Sequence, residues 1–505
     1  MNKKAITKVS AALIVAVIII AILAGALVMV TTLPPPAPPP PTPPPPGPAT
    51  ITGKVMDAKT GTPIAGASVK CDGYSATTGS DGTYSLSVKV GSYTVTVSMT
   101  GYETRTASVS ATEAKTYTAS ISLPLTAPEK IEYSIGIAIA VSGAAYAVEG
   151  PFRRDAALLA IEHVNEMLTA ADSPVRFKPI HEDTKGTAEG ALASLELLAA
   201  AGVKVVVGPL SSAEVSAIKS FADSKKIVSI SPSATSPKLA VAGDYIFRMC
   251  PTDIPQAKAL AQMLSQLGYT KVAIMGRNDD YGKGIADLFE KLFTGTVKRL
   301  MYTPGLPDYA TEVGSLSSTV RELGADEKTA VLIIAFDVDG LNIVGHARLD
   351  PTLSKVKWFG SESLKRPTFI PPQAPKENGD FLVAVQLTGF FASPEKNPVT
   401  ISFEKAYKAK FGKDPSPYSY FAYDCVWVAC LSVLAAGKYD GDAVKAVLPR
   451  VAESYMGASG YKKLDENGDV AGADYRIWRV VVEADEYKFK ELGVWYFTTE
   501  KISWY

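Results

Sequence analysis

Hydroxyl side chains stand at two places where an apolar strand gives way to a helix. Ser211 and Ser212 follow the apolar run Val203–Val207, and Ser231–Pro237 follows the next apolar run, Ile227–Ile230. A helix start presents free backbone N–H groups and the positive end of the helix dipole, which together suit an anion such as a carboxylate. Helix capping is the better explanation of one isolated serine pair. Two such ends on adjacent strands favour an anion-binding site.

The elements that must position these hydroxyls begin at Ile131, where short apolar runs alternate with helix-compatible sequence. The runs are Ile135–Val141, Val203–Val207, Ile227–Ile230, Lys271–Met275, Val331–Ala335 and Val356–Phe359. This alternation predicts parallel sheets that are covered by helices on both faces. Residues 131–505 exceed one such sheet, so we expect two α/β lobes. A ligand is expected in the cleft between the lobes, beyond the carboxyl ends of the strands.

The amino end, residues 1–31, is predicted to be a membrane anchor. Ala11–Val30 is apolar over about the 20 residues that a helix needs to cross a bilayer core. Lys3, Lys4 and Lys8 precede it, which keeps the amino end in the cytoplasm and exports the rest. A cleaved signal peptide is the alternative, although its apolar core spans only roughly 7–15 residues. The segment resembles the amino ends of archaeal surface proteins. We expect a single-pass protein of the cell membrane whose bulk is extracytoplasmic.

Two shorter segments separate this anchor from the lobes. Residues 32–49 form a proline-rich linker, which prefers polyproline II and serves as a semi-rigid stalk. Residues 50–124 contain alternating strands such as Thr83–Val90, with turn signals such as Asp81-Gly82, and they predict an all-β sandwich of about seven strands. This segment resembles the carboxypeptidase-regulatory-like family through Gly53–Asp57, Thr60–Pro63, Gly66–Ala67, Asp81–Tyr84 and Gly101–Glu103. The resemblance implies a spacer or adhesive unit.

Composition and motifs argue against several classes of function. Basic and acidic residues balance at 51 each, so no nucleic-acid partner is expected. The four cysteines, which have no metal-ligand spacing, are expected to be buried free thiols, and three histidines make a histidine-based metal site unexpected. Ser231 is not in a GxSxG motif, and Gly282–Gly284 is not a phosphate loop. We therefore expect that the protein is not an enzyme and that it binds neither a metal ion nor a cofactor.

Four motifs in order carry a second resemblance, which runs from about Ile131 to near the carboxyl end. The motifs are Val207–Ser212, Ser231–Pro237, Phe247–Asp253 with Gln256-Ala257, and Asn278–Gly284. They resemble the type I periplasmic solute-binding proteins, in the branch of the leucine/isoleucine/valine-binding protein. The resemblance implies two Rossmann-like lobes joined by three hinge crossings. It assigns residues 130–505 to the solute-binding domain, with lobe 1 at about 131–250 and 365–455 and lobe 2 at about 251–364 and 456–505.

The same resemblance implies five ligand-binding residues. Ser212 matches a serine that holds the ligand carboxylate. Ser233 and Thr235 match positions that contact the polar head of the ligand, and Tyr281 matches an aromatic residue that covers it from the other lobe. Glu362 matches an acidic residue that pairs with the ligand ammonium, although a solvated loop charge is the alternative.

Two positions depart from the family pattern and leave the ligand side chain open. Tyr146 has the right distance from the first strand for a family aromatic residue, but a longer loop could put Glu149 in that place. After the run that ends at Ala335, we favour Phe336 as the wall of the second lobe, whereas Asp337 would favour a polar or cationic ligand.

These observations predict the substrate-binding component of an ABC transporter. Its ligand is expected to be an amino acid of the branched-chain type, and its partners are expected to be a membrane permease and an ATPase. A sensor or receptor ectodomain that uses the same two lobes is the alternative. The ligand could also be an amide, a peptide or another small organic solute.

Overall fold

The computed structural model describes residues 47–126, 129–143, 145–392 and 396–505. The predicted membrane anchor and most of the proline-rich linker lie outside the described residues. Contacts divide the chain into a unit that ends at Pro128 and a unit that begins at Glu129.

The first unit is a β-sandwich, as predicted. Its strands are β1 (Ala49–Asp57), β2 (Ser68–Cys71), β3 (Tyr74–Thr77), β4 (Thr83–Val88), β5 (Gly91–Ser98), β6 (Arg105–Ala111), β7 (Thr116–Thr118) and β8 (Ile121–Leu123). One sheet has the order β4-β1-β7 with β8 also on β1, and the other has the order β3-β2-β5-β6. Alternate residues of the strands, among them Ile51, Val69 and Val97, fill one core.

Strands β9 to β24 and eleven α-helices make up the described part of the second unit. The strands are β9 (Ile131–Ala138), β10 (Val175–Glu182), β11 (Val205–Val207), β12 (Val228–Ser231), β13 (Ile246–Pro251), β14 (Lys271–Arg277), β15 (Thr296–Tyr302), β16 (Thr329–Ile334), β17 (Lys357–Gly360), β18 (Thr388–Ala392), β19 (Met456–Gly457), β20 (Gly460–Tyr461), β21 (Asp469–Val470), β22 (Tyr475–Glu483), β23 (Glu486–Tyr496) and β24 (Lys501–Trp504). The helices are α1 (Glu149–Ala170), α2 (Ala188–Ala200), α3 (Ser212–Lys225), α4 (Asp253–Gln266), α5 (Asp280–Leu292), α6 (Ala310–Glu322), α7 (Asp337–Ala347), α8 (Lys376–Ala384), α9 (Pro398–Phe411), α10 (Ser419–Ala436) and α11 (Gly441–Ser454). Short 3-10 helices are Pro237–Leu239, Glu362–Leu364 and Pro367–Phe369.

Lobe 1 is built on a parallel sheet of the order β10-β9-β11-β12-β13-β21. Its strands are apolar because helices cover both faces. Ile135 and Ile137 of β9 pack in the same core as Ala157 of α1 and Val426 of α10. On the other face, the cluster of α2 and α3 includes Ile218.

Lobe 2 is built on a sheet of the order β15-β14-β16-β17-β18-β22-β23-β24. The pairs from β15 to β18 are parallel, and the last three strands are antiparallel. Successive residues of a strand point to opposite faces, and β14 follows this rule. Val272 and Ile274 pack with α4 and α5, whereas Ala273 and Met275 pack with α6 and α7.

The chain crosses between the sheets three times, but two crossings lie later than the predicted boundaries. The first is between β13 and α4, as expected. The second follows β18, because β18 pairs with β17 of lobe 2 and α9 packs on α1 of lobe 1. The third follows β21, because β21 pairs with β13 of lobe 1. The prediction that residues 365–455 belong to lobe 1 and residues 456–505 to lobe 2 is therefore wrong. The chain passes into lobe 1 near residue 392 and back into lobe 2 near residue 470.

Helix α10 is the one helix in the described residues that is long and apolar enough to cross a membrane. It is 67% buried inside the unit, where it packs on α1. A core helix passes the same test, so this is weak evidence for a span. The cysteines Cys425 and Cys430 of this helix are free and buried, as are Cys71 and Cys250, which agrees with their prediction as small apolar side chains.

Candidate functional site

A narrow cavity lies between the two lobes, at the carboxyl ends of strands from both sheets. Lobe 1 lines it with Ala145, Tyr146, Glu149, Arg153, Ser211, Ser212, Ser233 and Tyr418, and lobe 2 lines it with Tyr281, Phe336, Asp337, Glu362, Ser363 and Arg366. The volume of this cavity is about 30 Å³. Six of the seven predicted site residues line this cavity, and Thr235 is the exception.

The start of α3 forms one end of the cavity. Ser211 caps the helix in a capping box with Glu214. Ser212 is the first residue of the helix, and its Oγ accepts a hydrogen bond of 3.1 Å from the Ser236 N–H. Helix capping and anion binding, the two roles considered for this serine pair, therefore fall to different residues. Ser211 is the cap, and Ser212 presents its hydroxyl beside the uncapped N–H groups of the first turn.

The second serine segment is held against the first. Ser231 donates from its Oγ to the Pro209 carbonyl at 2.6 Å, and Ser233 donates to the Leu210 carbonyl at 2.8 Å. These bonds tie the segment that follows β12 to the loop that precedes α3. Ser233 reaches the cavity as a result.

Thr235 lies behind this surface, in a smaller adjoining cavity that it shares with Glu362 and Tyr418. Its Oγ1 is buried and has no hydrogen-bond partner among the described residues. Its carbonyl accepts from the Asp253 N–H at 2.9 Å. The side chain of Thr235 therefore does not line the main cavity, and its contact with the polar head of a ligand stays a prediction.

Glu362 lines the cavity from lobe 2. It follows β17 and is 4% exposed, so the alternative of a solvated loop charge is wrong. Tyr281 donates from its hydroxyl to the two carboxylate oxygens at 3.2 and 3.3 Å, and Tyr418 donates to Oε1 at 3.1 Å. Burial raises the pKa of Glu362 above its ordinary value of 4.5, because the charged form loses water.

A second buried carboxylate lies close to Glu362. Gln256 joins the two: its Oε1 accepts from the Glu362 N–H at 2.7 Å, and its Nε2 donates to Asp253 Oδ1 at 3.1 Å. Burial and then the repulsion from Glu362 raise the pKa of Asp253 well above its ordinary value. Two buried carboxyl groups therefore lie side by side here, and burial favours their protonated forms as long as no cation is bound.

Aromatic rings form a wall between the two ends. The ring of Phe336 packs against those of Tyr146 and Tyr281, with centroids 5.9 and 5.3 Å apart. The Arg277 guanidinium lies 3.9 Å from the centroid of the Phe336 ring. A Cβ at Gly186 would stand 2.6 Å from Cδ2 of Tyr146, so the absence of a side chain at Gly186 makes room for that ring.

The sequence left two positions undecided, each between two residues, and all four of these residues line the cavity. Tyr146 joins the aromatic wall, whereas the carboxylate of Glu149 lies 3.7 Å from Nε of Arg366. Phe336 is the central ring of the wall, and Asp337 accepts from the Thr368 hydroxyl at 2.5 Å. Burial raises the pKa of Asp337. The wall is therefore apolar on one side and charged on the other.

Arg153, Arg366 and Tyr418 are site residues that the sequence did not reveal. The guanidinium carbons of Arg153 and Arg366 lie 4.8 and 4.7 Å from the centroid of the Tyr418 ring. Arg153 also donates from Nη1 to Ser233 Oγ at 3.1 Å. A lone arginine in a helix or a loop normally faces solvent, so no pattern separates these two from the other basic residues.

The lobes touch beside the cavity. Ser216 of α3 donates from its hydroxyl to Asp280 of α5 at 2.8 Å, and Lys238 lies 3.6 Å from the same carboxylate. A Cβ at Gly284 of α5 would stand 3.2 Å from both Pro237 Cδ and Ser236 Oγ. These contacts close the cleft over the cavity.

Two α/β lobes that are joined by three crossings and line a common cavity define a two-lobed ligand-binding protein. The family model described as "Receptor family ligand binding region" matches residues 152–483, and the chain belongs to that family. Residues 50–124 match the carboxypeptidase regulatory-like domain. The resemblances to the carboxypeptidase-regulatory-like family and to the type I periplasmic solute-binding proteins are thereby confirmed.

Several proteins are similar to this chain over the two-lobed unit. An uncharacterized protein of Methanocaldococcus jannaschii is 27% identical over 392 residues, which cover 73% of this chain and 91% of that protein. Leu/Ile/Val-binding protein homolog 1 of Brucella abortus is 25% identical over 363 residues, 70% of this chain and 91% of its own. The crystal structure of the leucine-binding protein LivK of Thermotoga maritima covers 71% of this chain and 97% of its own, with a TM-score of 0.60 at 21% identity. At that identity the likeness shows the fold, and the named relatives are solute-binding proteins.

Proposed function

We propose that this chain is the extracytoplasmic substrate-binding component of an ABC transporter and that its solute is an amino acid. The observation that carries the proposal is that one cavity is lined by hydrogen-bond donors of lobe 1 and by a buried carboxyl group of lobe 2. Ser212 and the start of α3 offer hydrogen-bond donors to a carboxylate. Glu362 offers a buried carboxylate to an ammonium group. A zwitterion satisfies both ends at once.

The remaining predicted residues take roles around that zwitterion. Ser233 lies next to the carboxylate end, and Tyr281 covers the solute from lobe 2 while it orients Glu362 through its hydroxyl. Tyr146 and Phe336 provide the apolar wall for a side chain. Thr235 acts behind the cavity, where its carbonyl fixes the start of α4.

The relatives support a transport role. One relative is a homolog of Leu/Ile/Val-binding protein and another is a leucine-binding protein, and a branched-chain solute is the corresponding finer proposal for this chain. Delivery then requires a membrane permease and an ATPase. The apolar run before the linker would hold the binder at the outer face of the cell membrane.

A receptor ectodomain is the second candidate, because the matching family is described as a receptor family. The two candidates share the solute and differ in the partner. Affinity purification of the full chain from its membranes separates them: a permease and an ATPase favour transport, and a protein with a signalling domain favours the receptor.

Thermal melting of the full chain in mild detergent tests binding itself. A solute that binds only the folded state stabilises it by mass action, by about 2.7 kcal/mol at a concentration 100 times its Kd. We expect at least one of the twenty amino acids to raise the melting temperature. Absence of a shift with every amino acid, amide, dipeptide and sugar would contradict a binding function.

A further inference from the structure

Arg153 is a buried cation that the proposed roles leave without an ionic partner. It is 4% exposed and lies on the first turns of α1, where it lines the cavity. It makes no ion pair with a carboxylate in the described part of the chain. Its one side-chain hydrogen bond there runs from Nη1 to the Ser233 hydroxyl, and its Nε is buried without a partner.

The adjacent residue shows what an ordinary arginine of this helix does. Arg154 pairs with Asp155 at 2.6 Å, and its side chain is 33% exposed. The two arginines follow each other in the sequence, yet only Arg154 has a carboxylate partner and contact with solvent. Arg153 is therefore not an ordinary charged residue on the exposed face of the helix.

A guanidinium that is taken out of water is costly unless an anion and further hydrogen bonds compensate for its lost hydration. The rings of Tyr146 and Tyr418, whose centroids lie 5.4 and 4.8 Å from Cζ of Arg153, supply part of that compensation. They supply no acceptor for Nε. The planar fork of an arginine fits a carboxylate with two parallel hydrogen bonds.

The neighbours of Arg153 locate the anion that would fit. Ser233, which accepts from Nη1, is tied to the loop before α3, and that loop leads into Ser212. Arg153 therefore lies on the lobe 1 side of the cavity, with the hydroxyls and the helix start. Glu362 lines the cavity from lobe 2, and its carboxylate would repel a second one.

We propose that Arg153 is the principal anchor of the solute's carboxylate and that it restricts the site to solutes with a free carboxylate group. Arg153 donates to the carboxylate from its fork, and Ser212 and the first N–H groups of α3 donate to it from the other side. Amides, esters and sugars are poor solutes because they leave the guanidinium buried and unpaired. The inference rests on the proposed function and names the solute class for that same cavity.

The test measures the affinity of the full chain, by calorimetry, for each of the twenty amino acids and for its carboxamide. We expect the best free acid to bind at least 100-fold more tightly than its amide. Arg153→Met should remove that preference and weaken the free acid by at least 100-fold, and Arg153→Lys should retain part of the affinity. Arg154→Met is the matched control, for which the affinity should stay within about threefold of the original.

A readout without solute separates an anchor from a structural residue. Because Arg153 forms no ion pair within the described ranges, the melting temperature of the solute-free Arg153→Met protein should equal or exceed that of the original. A lower value in the solute-free state, together with unchanged affinity, would show a structural role and overturn the proposal. Equal affinity for acid and amide would overturn it as well. If only amides or sugars bind, the binding function stands and the carboxylate inference fails; if nothing binds, both fail.

Discussion

The hydroxyl of Ser212 is the smallest group on which the anion end of the cavity depends. Its loss in Ser212→Ala removes one donor to the solute and the acceptor of the Ser236 N–H. A hydrogen bond to a charged group is worth about 1.5–3 kcal/mol, so we expect the Kd for the best amino acid to rise by roughly 10- to 100-fold.

Ser224→Ala is the matched control on the same helix. The Ser224 hydroxyl is exposed and bonds to the Phe221 carbonyl at 2.9 Å, away from the cavity. Calorimetric titration of both variants should show a change for Ser212 alone. Equal affinities of the two variants would place the carboxylate elsewhere.

Glu362→Gln tests the cation end. The amide keeps the shape of the side chain but cannot pair as an anion with an ammonium group, so we expect the Kd to rise by about 100-fold. The solute-free protein should melt no lower than the original, because the substitution removes a buried charge. A large loss of stability with unchanged affinity would make Glu362 a structural residue.

The raised pKa values of Glu362 and Asp253 predict proton release on binding. In the solute-free protein both groups hold their protons to a higher pH than they do in the unfolded chain. Their contribution to stability is therefore complete below the pKa values of the unfolded chain and is lost as the pH rises through the pKa values of the folded protein. An ammonium group favours the ionised form of Glu362. The affinity should therefore increase with pH above about 4.5.

Calorimetry in two buffers of different ionisation enthalpy measures that proton. The apparent binding enthalpies in the two buffers should differ by the amount and sign that proton release to the buffer requires. This difference should be smaller for Glu362→Gln. Proton uptake, or equal enthalpies across that pH range, would contradict the pairing of the ammonium with Glu362.

Residues at strand ends were predictable, whereas residues from distant segments were not. Ser212, Ser233 and Glu362 each follow an apolar strand, and parallel strands end at one edge of a sheet. Arg153 and Tyr418 come from a helix that precedes the first of these strand ends and from a loop that follows the last. Their approach depends on the packing of α1 against α10, which no local pattern encodes.

Helix α5 packs closely against lobe 1 at Gly284. A Cβ there would already lie 3.2 Å from Pro237 and Ser236, and a valine adds two further methyl groups. We expect Gly284→Val to hold the lobes apart and to weaken solute binding at least tenfold. A valine at Gly314 of α6, where no atom lies within 4 Å of the added Cβ, makes the same change in helix propensity without a contact to the other lobe.

Melting temperature and affinity of the two glycine variants separate the effects. The change in helix propensity is the same in both variants, and only Gly284→Val should lose affinity. Equal affinity in the two would show that closure over the 3-10 helix Pro237–Leu239 is not needed for binding.

The elements show the same division between what local sequence encodes and what it does not. Apolar runs located β11, β12, β14, β16 and β17 because each strand is buried on both faces. Strand β21 has two residues and gives no periodic signal, and its place beside β13 depends on the buried pair of Arg248 and Asp469. The third crossing between the lobes was misplaced for this reason.

The whole molecule combines a β-sandwich unit with a two-lobed unit, and the proposed function resides in the second. Binding between lobes requires that they close, since neither lobe contains both Ser212 and Glu362. The contact of Ser216 with Asp280 spans the lobes at 2.8 Å and reports closure directly.

Disulfide formation between Ser216→Cys and Asp280→Cys tests the clamp most directly. The four native cysteines are buried, so the new pair reacts with little competition. A saturating amino acid that raises the melting temperature should accelerate cross-linking by at least tenfold, and Glu362→Gln should reduce that acceleration at the same concentration. An identical rate with and without the saturating amino acid would contradict a solute held between closing lobes.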